Sequence, residues 1–372
     1  MHINIKTMIQ QQEKDKEKKL RVGISHGDLN GISYEVIIKS LSDNRILEMF
    51  TPVIYGLSKV VSFYWKTMNC NNFNYKVITD ASQVYNKRVN VINLSNEEVK
   101  IEPGKSSVQA GKFSFDALER SVADLKQNKI DVLVTAPINK SNIQSEQFTF
   151  PGHTEYFAEC FHSETPLMLM VHNQLRVGTV TGHIPLKSVA DQLSKELILS
   201  KITTLNASLK RDFAIPRPKI AVLGLNPHAG DHGVIGTEDE SIIQPAISHA
   251  KKQGFLSYGP FPADGFFGTD EYTKYDAILA MYHDQGLIPF KVLAFEGGVN
   301  FTAGLSIVRT SPAHGTAYDK AGKNIASPDS IRQAMYLAVD IYRNRLLFDK
   351  MNANPLPLGT ENNIRNTNRD QT

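Results

Sequence analysis

Four histidines stand in turns rimmed with glycine or proline. His153 lies in Phe150-Pro151-Gly152-His153-Thr154-Glu155, His183 in Gly182-His183-Ile184-Pro185-Leu186, His228 in Gly224-Leu225-Asn226-Pro227-His228-Ala229-Gly230-Asp231, and His283 in Met281-Tyr282-His283-Asp284-Gln285-Gly286. His183, His228 and His283 are separated by 45 and 55 residues, a spacing that matches no local metal motif. Should the fold bring them together, three imidazoles would suit zinc, cobalt, manganese or nickel better than magnesium. The alternative is that each caps its turn or bonds a backbone carbonyl. A basic set follows His283: Lys291, Asn300 and Arg309. Lysine as a point charge and arginine as a bidentate fork both suit a phosphate, although both also occur as plain surface charges. Gly230 to Glu240 is a glycine-rich turn in which Thr237 and Glu240 have capping-box spacing, and its free N–H groups could hold an anion.

Several common chemistries are excluded by what the chain lacks. No G-x-G-x-x-G follows the first predicted strand, so the Rossmann dinucleotide fingerprint is missing. Gly104-Lys105-Ser106 resembles the end of a P-loop, but Val99 stands where the first glycine belongs. Neither G-x-S-x-G nor H-E-x-x-H occurs. The two cysteines, Cys70 and Cys160, form no C-x-x-C. The 41 basic and 38 acidic residues leave a formal charge of +3, too even to point to nucleic acid or membrane. No apolar run approaches the ~18 residues of a membrane span, and the N-terminus has no signal-peptide pattern. The expected setting is cytoplasmic.

These residues must be positioned by the elements around them. Residues 1–20 and those from about 351 onward read as flexible tails. Between them, short β-branched runs alternate with helical patterns. Strands are predicted at Arg21–Ser25, Pro52–Tyr55, Asp131–Thr135, Leu167–Val171, Arg176–Thr181, Lys219–Leu223, Tyr275–Ala280 and Ser306–Arg309, with 167–181 forming a hairpin. Helices are predicted near Ile32–Leu41, Ser107–Gln127, Glu196–Leu209 and Ser330–Asn344. The alternation predicts an α/β fold with a largely parallel sheet, in which ligands sit at the carboxyl ends of strands. The histidine turns fall at such ends or beside one.

The segments TAPINK (135–140), PGHTE (151–155), GHIPL (182–186), GLNPHAGD (224–231), GTEDE (236–240), PADGFF (262–267), AMYHDQGLIPFK (280–291), GVNFTAGLSIVRTS (298–311) and HGTAYD (314–319) together resemble the 4-hydroxythreonine-4-phosphate dehydrogenase family of vitamin B6 biosynthesis. The resemblance runs from about Arg21 to Ala338. It implies an isocitrate/isopropylmalate dehydrogenase-like fold, with two α/β domains flanking a central cleft: 21–135 with 300–350, and 136–299, the second carrying the metal and the dimer interface. It implies NAD or NADP bound without a Rossmann fingerprint. It also implies a divalent metal (zinc, cobalt, manganese or magnesium, with zinc favoured) on His183, His228 and His283. Substrate contacts would fall on His153, Thr154, Lys291, Asn300 and Arg309. Asp264 and Lys140 are the candidate bases, and the homodimer would share its active site, one metal histidine coming from the partner. The implied reaction oxidises the 3-hydroxyl of 4-phosphooxy-L-threonine and then decarboxylates, giving 3-amino-2-oxopropyl phosphate. The alternatives are a 4-phospho-threonate or erythronate dehydrogenase of the same family, and a three-histidine metal phosphohydrolase. The chain departs from the family's glycine- and proline-rich first loop, reading Gly27-Asp28-Leu29-Asn30-Gly31-Ile32-Ser33-Tyr34-Glu35.

Overall fold

A computed structural model describes residues 19–70, 72–294 and 297–354. The expected N-terminal tail falls outside these residues except for Lys19 and Leu20, and Lys19 Nζ donates to the Leu47 carbonyl at 2.8 Å. The C-terminal tail lies outside them from residue 355, and the closing helix runs from Asp329 to Asn352, past the predicted end.

The β-branched runs form strands, as predicted, because each is short, apolar and bounded by turn residues. The twelve are β1 (Arg21–Ser25), β2 (Thr51–Gly56), β3 (Tyr75–Ile78), β4 (Val89–Asn93), β5 (Val132–Thr135), β6 (Leu167–His172), β7 (Leu175–Thr179), β8 (Lys219–Leu223), β9 (Leu256–Phe261), β10 (Ala277–Ala280), β11 (Val299–Ala303) and β12 (Arg309–Pro312). They make one sheet in the order β3-β4-β2-β1-β5-β12-β11-β6-β7-β10-β8-β9. The first six are mutually parallel, as are the last four. Between these sets β11 is antiparallel to both β12 and β6, and β6 and β7 form the expected antiparallel hairpin. Strands β2, β5 and β10 are buried throughout, which is why they read as continuous apolar runs rather than alternating ones.

One strand prediction requires correction. The strand placed at Ser306–Arg309 begins at Arg309 instead, because Arg309 is the first residue to pair with β5, opposite Leu133. The residues before it form a connection that turns at Gly304, with φ +84°.

Helices cover the sheet through apolar stripes at helical spacing. The helix Lys195–Arg211 buries Ile198, Ile202, Leu205 and Leu209, and is capped by Ser194 Oγ accepting from the Leu197 N–H at 3.1 Å. The helix Val108–Lys126 is capped by Ser107, whose Oγ accepts from the Ala110 N–H at 3.2 Å. It passes so near the turn after β5 that a Cβ on Gly111 would lie 1.8 Å from the Asn142 carbonyl oxygen. No helix of the described residues is long and apolar enough to cross a membrane.

Candidate active site

The site grows from the seam between β5 and β12. Arg309 opens β12 and is only 1% exposed. Its Nε and Nη2 donate to Thr135 Oγ1 at 3.1 and 2.5 Å, and its Nη1 donates to Thr302 Oγ1 at 3.2 Å. Its guanidinium lies over the Phe157 ring, 5.5 Å from the centroid. No carboxylate is among its hydrogen-bond partners in the described residues, and burial draws its pKa down to about 9. A guanidinium keeps its proton near neutral pH. It is therefore a buried cation served by hydroxyls, with Glu155 acting on it only through space and no carboxylate bonded to it among the described residues.

Four further polar atoms face the same cavity, of about 230 Å³, buried and without partners: His153 Nε2, Asn300 Oδ1, Glu155 Oε2 and His314 Nε2. Buried polar atoms are ordinarily paired, so such a group around a cavity marks where a ligand supplies the partners. Asn300 lies on β11 with Met170 opposite it on β6 and Ser311 opposite it on β12, and all three line the cavity. His153 opens the helix His153–Cys160, directly after Gly152. Burial holds its pKa well below the usual value, helped by the positive Arg309 and Lys140, so the ring is neutral. Thr154 and Lys291 complete the wall, Lys291 from the last turn of the helix His283–Leu293.

The histidine pair comes from the other parallel set. β7 and β10 are neighbours in register, with Thr179 opposite Ala280, and the ladder continues through Val180 N–H to the Ala280 carbonyl and Thr181 N–H to the Met281 carbonyl. The turns that follow therefore emerge side by side. They place the His183 and His283 rings 5.6 Å apart between centroids. His183 Nε2 lies 3.5 Å from Lys140 Nζ, and its Nδ1 lies 3.9 Å from Glu155 Oε1. His183 is the first cause holding the Glu155 carboxyl below its ordinary range. His283 Nδ1 is 2.8 Å from Asp284 Oδ1.

His228 is not brought to this pair within one chain. It follows β8, on the far side of β10, in a left-handed turn with φ +54° at His228 and +53° at Ala229. It is exposed and does not line the cavity. Among the described residues, no three His, Cys, Asp or Glu side chains converge as metal ligands. The two paired imidazoles, with a carboxylate beside each, are a partial donor set of the kind zinc takes. The expected capping box at Thr237 does not form. Asp239 instead accepts from the Leu225 and Asn226 N–H groups at 2.8 and 3.1 Å, fixing the loop that carries His228. Of the two candidate bases, Lys140 lines the cavity, whereas Asp264 is exposed on the helix Ala263–Gly268 and does not.

Sequence reasoning assigned no role to Thr135, Thr302, Glu155, Ser311 or His314. The hydroxyls that seat Arg309 carry no motif of their own, although all five residues lie inside segments already singled out. His314 lines the cavity with a buried, unpartnered Nε2. It also borders a second cavity of about 560 Å³, which shares Lys291, Ala313, His314 and Gly315 with the first and adds Phe290, Lys320 and Ser327.

Residues 48–338 match the family described as pyridoxal phosphate biosynthetic protein PdxA. A 4-hydroxythreonine-4-phosphate dehydrogenase of Bacteroides thetaiotaomicron is 51% identical over 341 residues, covering 91% of this chain and 93% of the relative. The crystal structure of 4-hydroxythreonine-4-phosphate dehydrogenase from Klebsiella pneumoniae superposes with a TM-score of 0.75 at 33% identity, covering 88% of this chain and 98% of that one. A Clostridium botulinum protein provisionally named D-threonate 4-phosphate dehydrogenase is 35% identical over 319 residues, covering 85% of this chain and 95% of the relative.

Proposed function

Because the chain belongs to the pyridoxal phosphate biosynthetic protein PdxA family, we propose that it oxidises 4-phosphooxy-L-threonine at the 3-hydroxyl, with loss of the carboxylate as carbon dioxide, to give 3-amino-2-oxopropyl phosphate. The observation that carries this reading is Arg309, a buried guanidinium without a carboxylate partner, facing the same cavity as the unpartnered His153 Nε2 and Asn300 Oδ1. A phosphorylated substrate supplies a directly bonded anion and the missing hydrogen bonds together.

Arg309 and Lys291 receive the phosphate. His153, held neutral, exchanges a hydrogen bond with the substrate without adding charge, and Asn300 and Thr154 fix its orientation. Lys140, 3.5 Å from His183 Nε2, is the group to which this reading gives the proton of the 3-hydroxyl. His183 and His283 would hold a divalent metal, with His228 of a second copy as the third ligand, and that ion supplies Lewis-acid polarisation of the hydroxyl. The nicotinamide cofactor, NAD or NADP, supplies the hydride acceptor, and the second cavity offers room for it beside His314. On this reading the cleft lies between two domains, 21–135 with 300–350 and 136–299.

The need for a second copy is supported by where apolar side chains are exposed. Leu186, Val234, Ile288 and Val292 are 71, 79, 61 and 75% exposed, and each lies in a segment that carries one of the three histidines. Exposed apolar side chains in the segments of an incomplete ligand set fit a homodimer that shares its site.

The Clostridium relative supports a second reading, 4-phospho-D-threonate as substrate, which keeps the hydroxyl, carboxylate and phosphate and lacks the amine. The test is absorbance of reduced nicotinamide with each substrate, NAD or NADP, and a divalent metal, with and without chelator. Chelator-sensitive reduction, faster with 4-phosphooxy-L-threonine, is the expected result. Faster turnover of the threonate would overturn the substrate, and no reduction with either would overturn the activity.

A further inference from the structure

Asp28 is fully buried and lines neither cavity. It sits in the loop after β1, where Gly27 has φ +65° and a Cβ on it would lie 2.3 Å from the Pro137 carbonyl oxygen. Its carboxylate accepts three hydrogen bonds: from the Asn30 N–H at 2.9 Å, from Asn142 Nδ2 at 2.8 Å and from the Tyr318 hydroxyl at 2.7 Å. The same phenol oxygen accepts from Asn139 Nδ2 at 2.9 Å. Asn139 precedes Lys140. Tyr318 lies just beyond His314 and Gly315, and the chain between them rests on the loop, with the Ile32 N–H donating to the Thr316 carbonyl at 3.0 Å. A Cβ on Gly31 would approach that carbonyl oxygen to 2.7 Å.

Through Asn142 and Tyr318 one carboxylate thus ties together the chain just after Lys140 and the chain just after Gly315, two stretches that follow cavity-lining residues. None of its hydrogen-bond donors is a cation, and a carboxylate buried in this way costs stability that a well-packed apolar side chain would not. What it supplies is direction, because two of its three acceptor bonds hold its own loop to two segments remote in sequence.

We propose that Asp28 is a positioning residue for the reaction, setting the distance between the Lys140 wall and the His314 wall through the Tyr318–Asn139 relay. The kinetic part of this proposal rests on the activity proposed above. The relay reaches the Lys140 end of the cavity and does not include Thr135, Thr302 or Arg309. Its loss therefore acts on the chemical step more than on phosphate binding.

The test compares Tyr318→Phe, which keeps the ring and removes the bridge, with Asp28→Asn. Two readouts are used: steady-state kinetics with 4-phosphooxy-L-threonine, and hydrogen–deuterium exchange of the whole chain. Tyr318→Phe is expected to lower kcat about tenfold or more while KM changes far less, since small misplacements of reacting groups are costly. The double variant should be no worse than the poorer single one, as for two residues acting through one bond. Exchange should quicken in segment 136–142, remote in sequence from the substitution. Unchanged exchange there overturns the proposal. Faster exchange with unchanged kcat also overturns it, leaving Asp28 a structural role. A loss confined to KM would overturn it by locating the effect at the phosphate end. If the wild-type chain fails to turn over 4-phosphooxy-L-threonine, the proposed activity falls, and the exchange comparison alone decides whether the clamp exists.

Discussion

His183 and His283 face each other at 5.6 Å between ring centroids because β7 and β10 end in register, with Thr179 opposite Ala280. The pair is set by sheet geometry rather than by local sequence, and both side chains remain open to solvent and ligand. His283→Ala is therefore expected to remove turnover with little effect on the fold, as substitutions at accessible positions change stability by about 0.5 kcal/mol or less. Bound metal, measured by mass spectrometry after dialysis, should fall in the same variant and in His228→Ala. Full activity in metal-stripped His283→Ala would refute the site.

Arg309→Met should separate binding from stability. Truncating one member of a buried, hydrogen-bonded charge pair costs at least about 2 kcal/mol, or roughly thirtyfold in affinity. Titration calorimetry with the phosphorylated substrate should show that loss. The ligand-free variant should melt at the same temperature as wild type or higher, because a buried cation with no directly bonded carboxylate has been removed. A marked fall in melting temperature would show that Arg309 serves the fold rather than the ligand.

Ile288 and Val292 lie one helical turn apart and are both exposed on the helix that His283 opens. Ile288→Asp with Val292→Asp is expected to shift the protein to monomer in sedimentation velocity and to abolish turnover together. A fully active monomer would exclude the shared site.

His26 should impose a pH limit on stability. It is buried, Nε2 sits 3.1 Å from the Phe113 carbonyl, the ring stacks on Tyr34 at 5.1 Å, and burial lowers its pKa to about 4. The folded pKa is depressed, so the contribution is complete above the unfolded value of 6.5. It is lost as pH falls from 6.5 toward 4, where the unfolded chain binds a proton that the fold refuses. The loss across that window is about 3 kcal/mol at most. His153 is shifted in the same direction. Urea midpoints at pH 7.5 and pH 5 should differ less in His26→Gln than in wild type; an equal difference would place the acid sensitivity elsewhere.

The strands that carry the site were legible where burial makes a short apolar run, as in Val132–Thr135 and Ala277–Ala280. Strands β3 and β9 were not, because the first is half-exposed and the second, Leu-Ser-Tyr-Gly-Pro-Phe, lacks a clear run. The segment after Gly304 misled for a different reason: Ile307 and Val308 look like strand, but pairing with β5 starts only at Arg309. The motif residues His153, Lys291, Asn300 and Arg309 do line one cavity. What seats them was not legible. Thr135 and Thr302 gain meaning only when β5, β12 and β11 lie side by side, and Asp28 only when residues 142 and 318 reach it.

The strand order also bears on how the chain is made. Until β11 and β12 emerge, the sheet exists as two pieces, β3-β4-β2-β1-β5 and β6-β7-β10-β8-β9, with no hydrogen-bonded ladder between them. The last strands synthesised are the middle ones. A ribosome moving from the N-terminus must release more than 300 residues before Arg309 can close the gap. Both unfinished pieces therefore present an open edge at the place that becomes the centre of the sheet, and such edges invite mispairing with other chains. Nascent protein is most in need of shielding immediately before residue 312 leaves the exit tunnel.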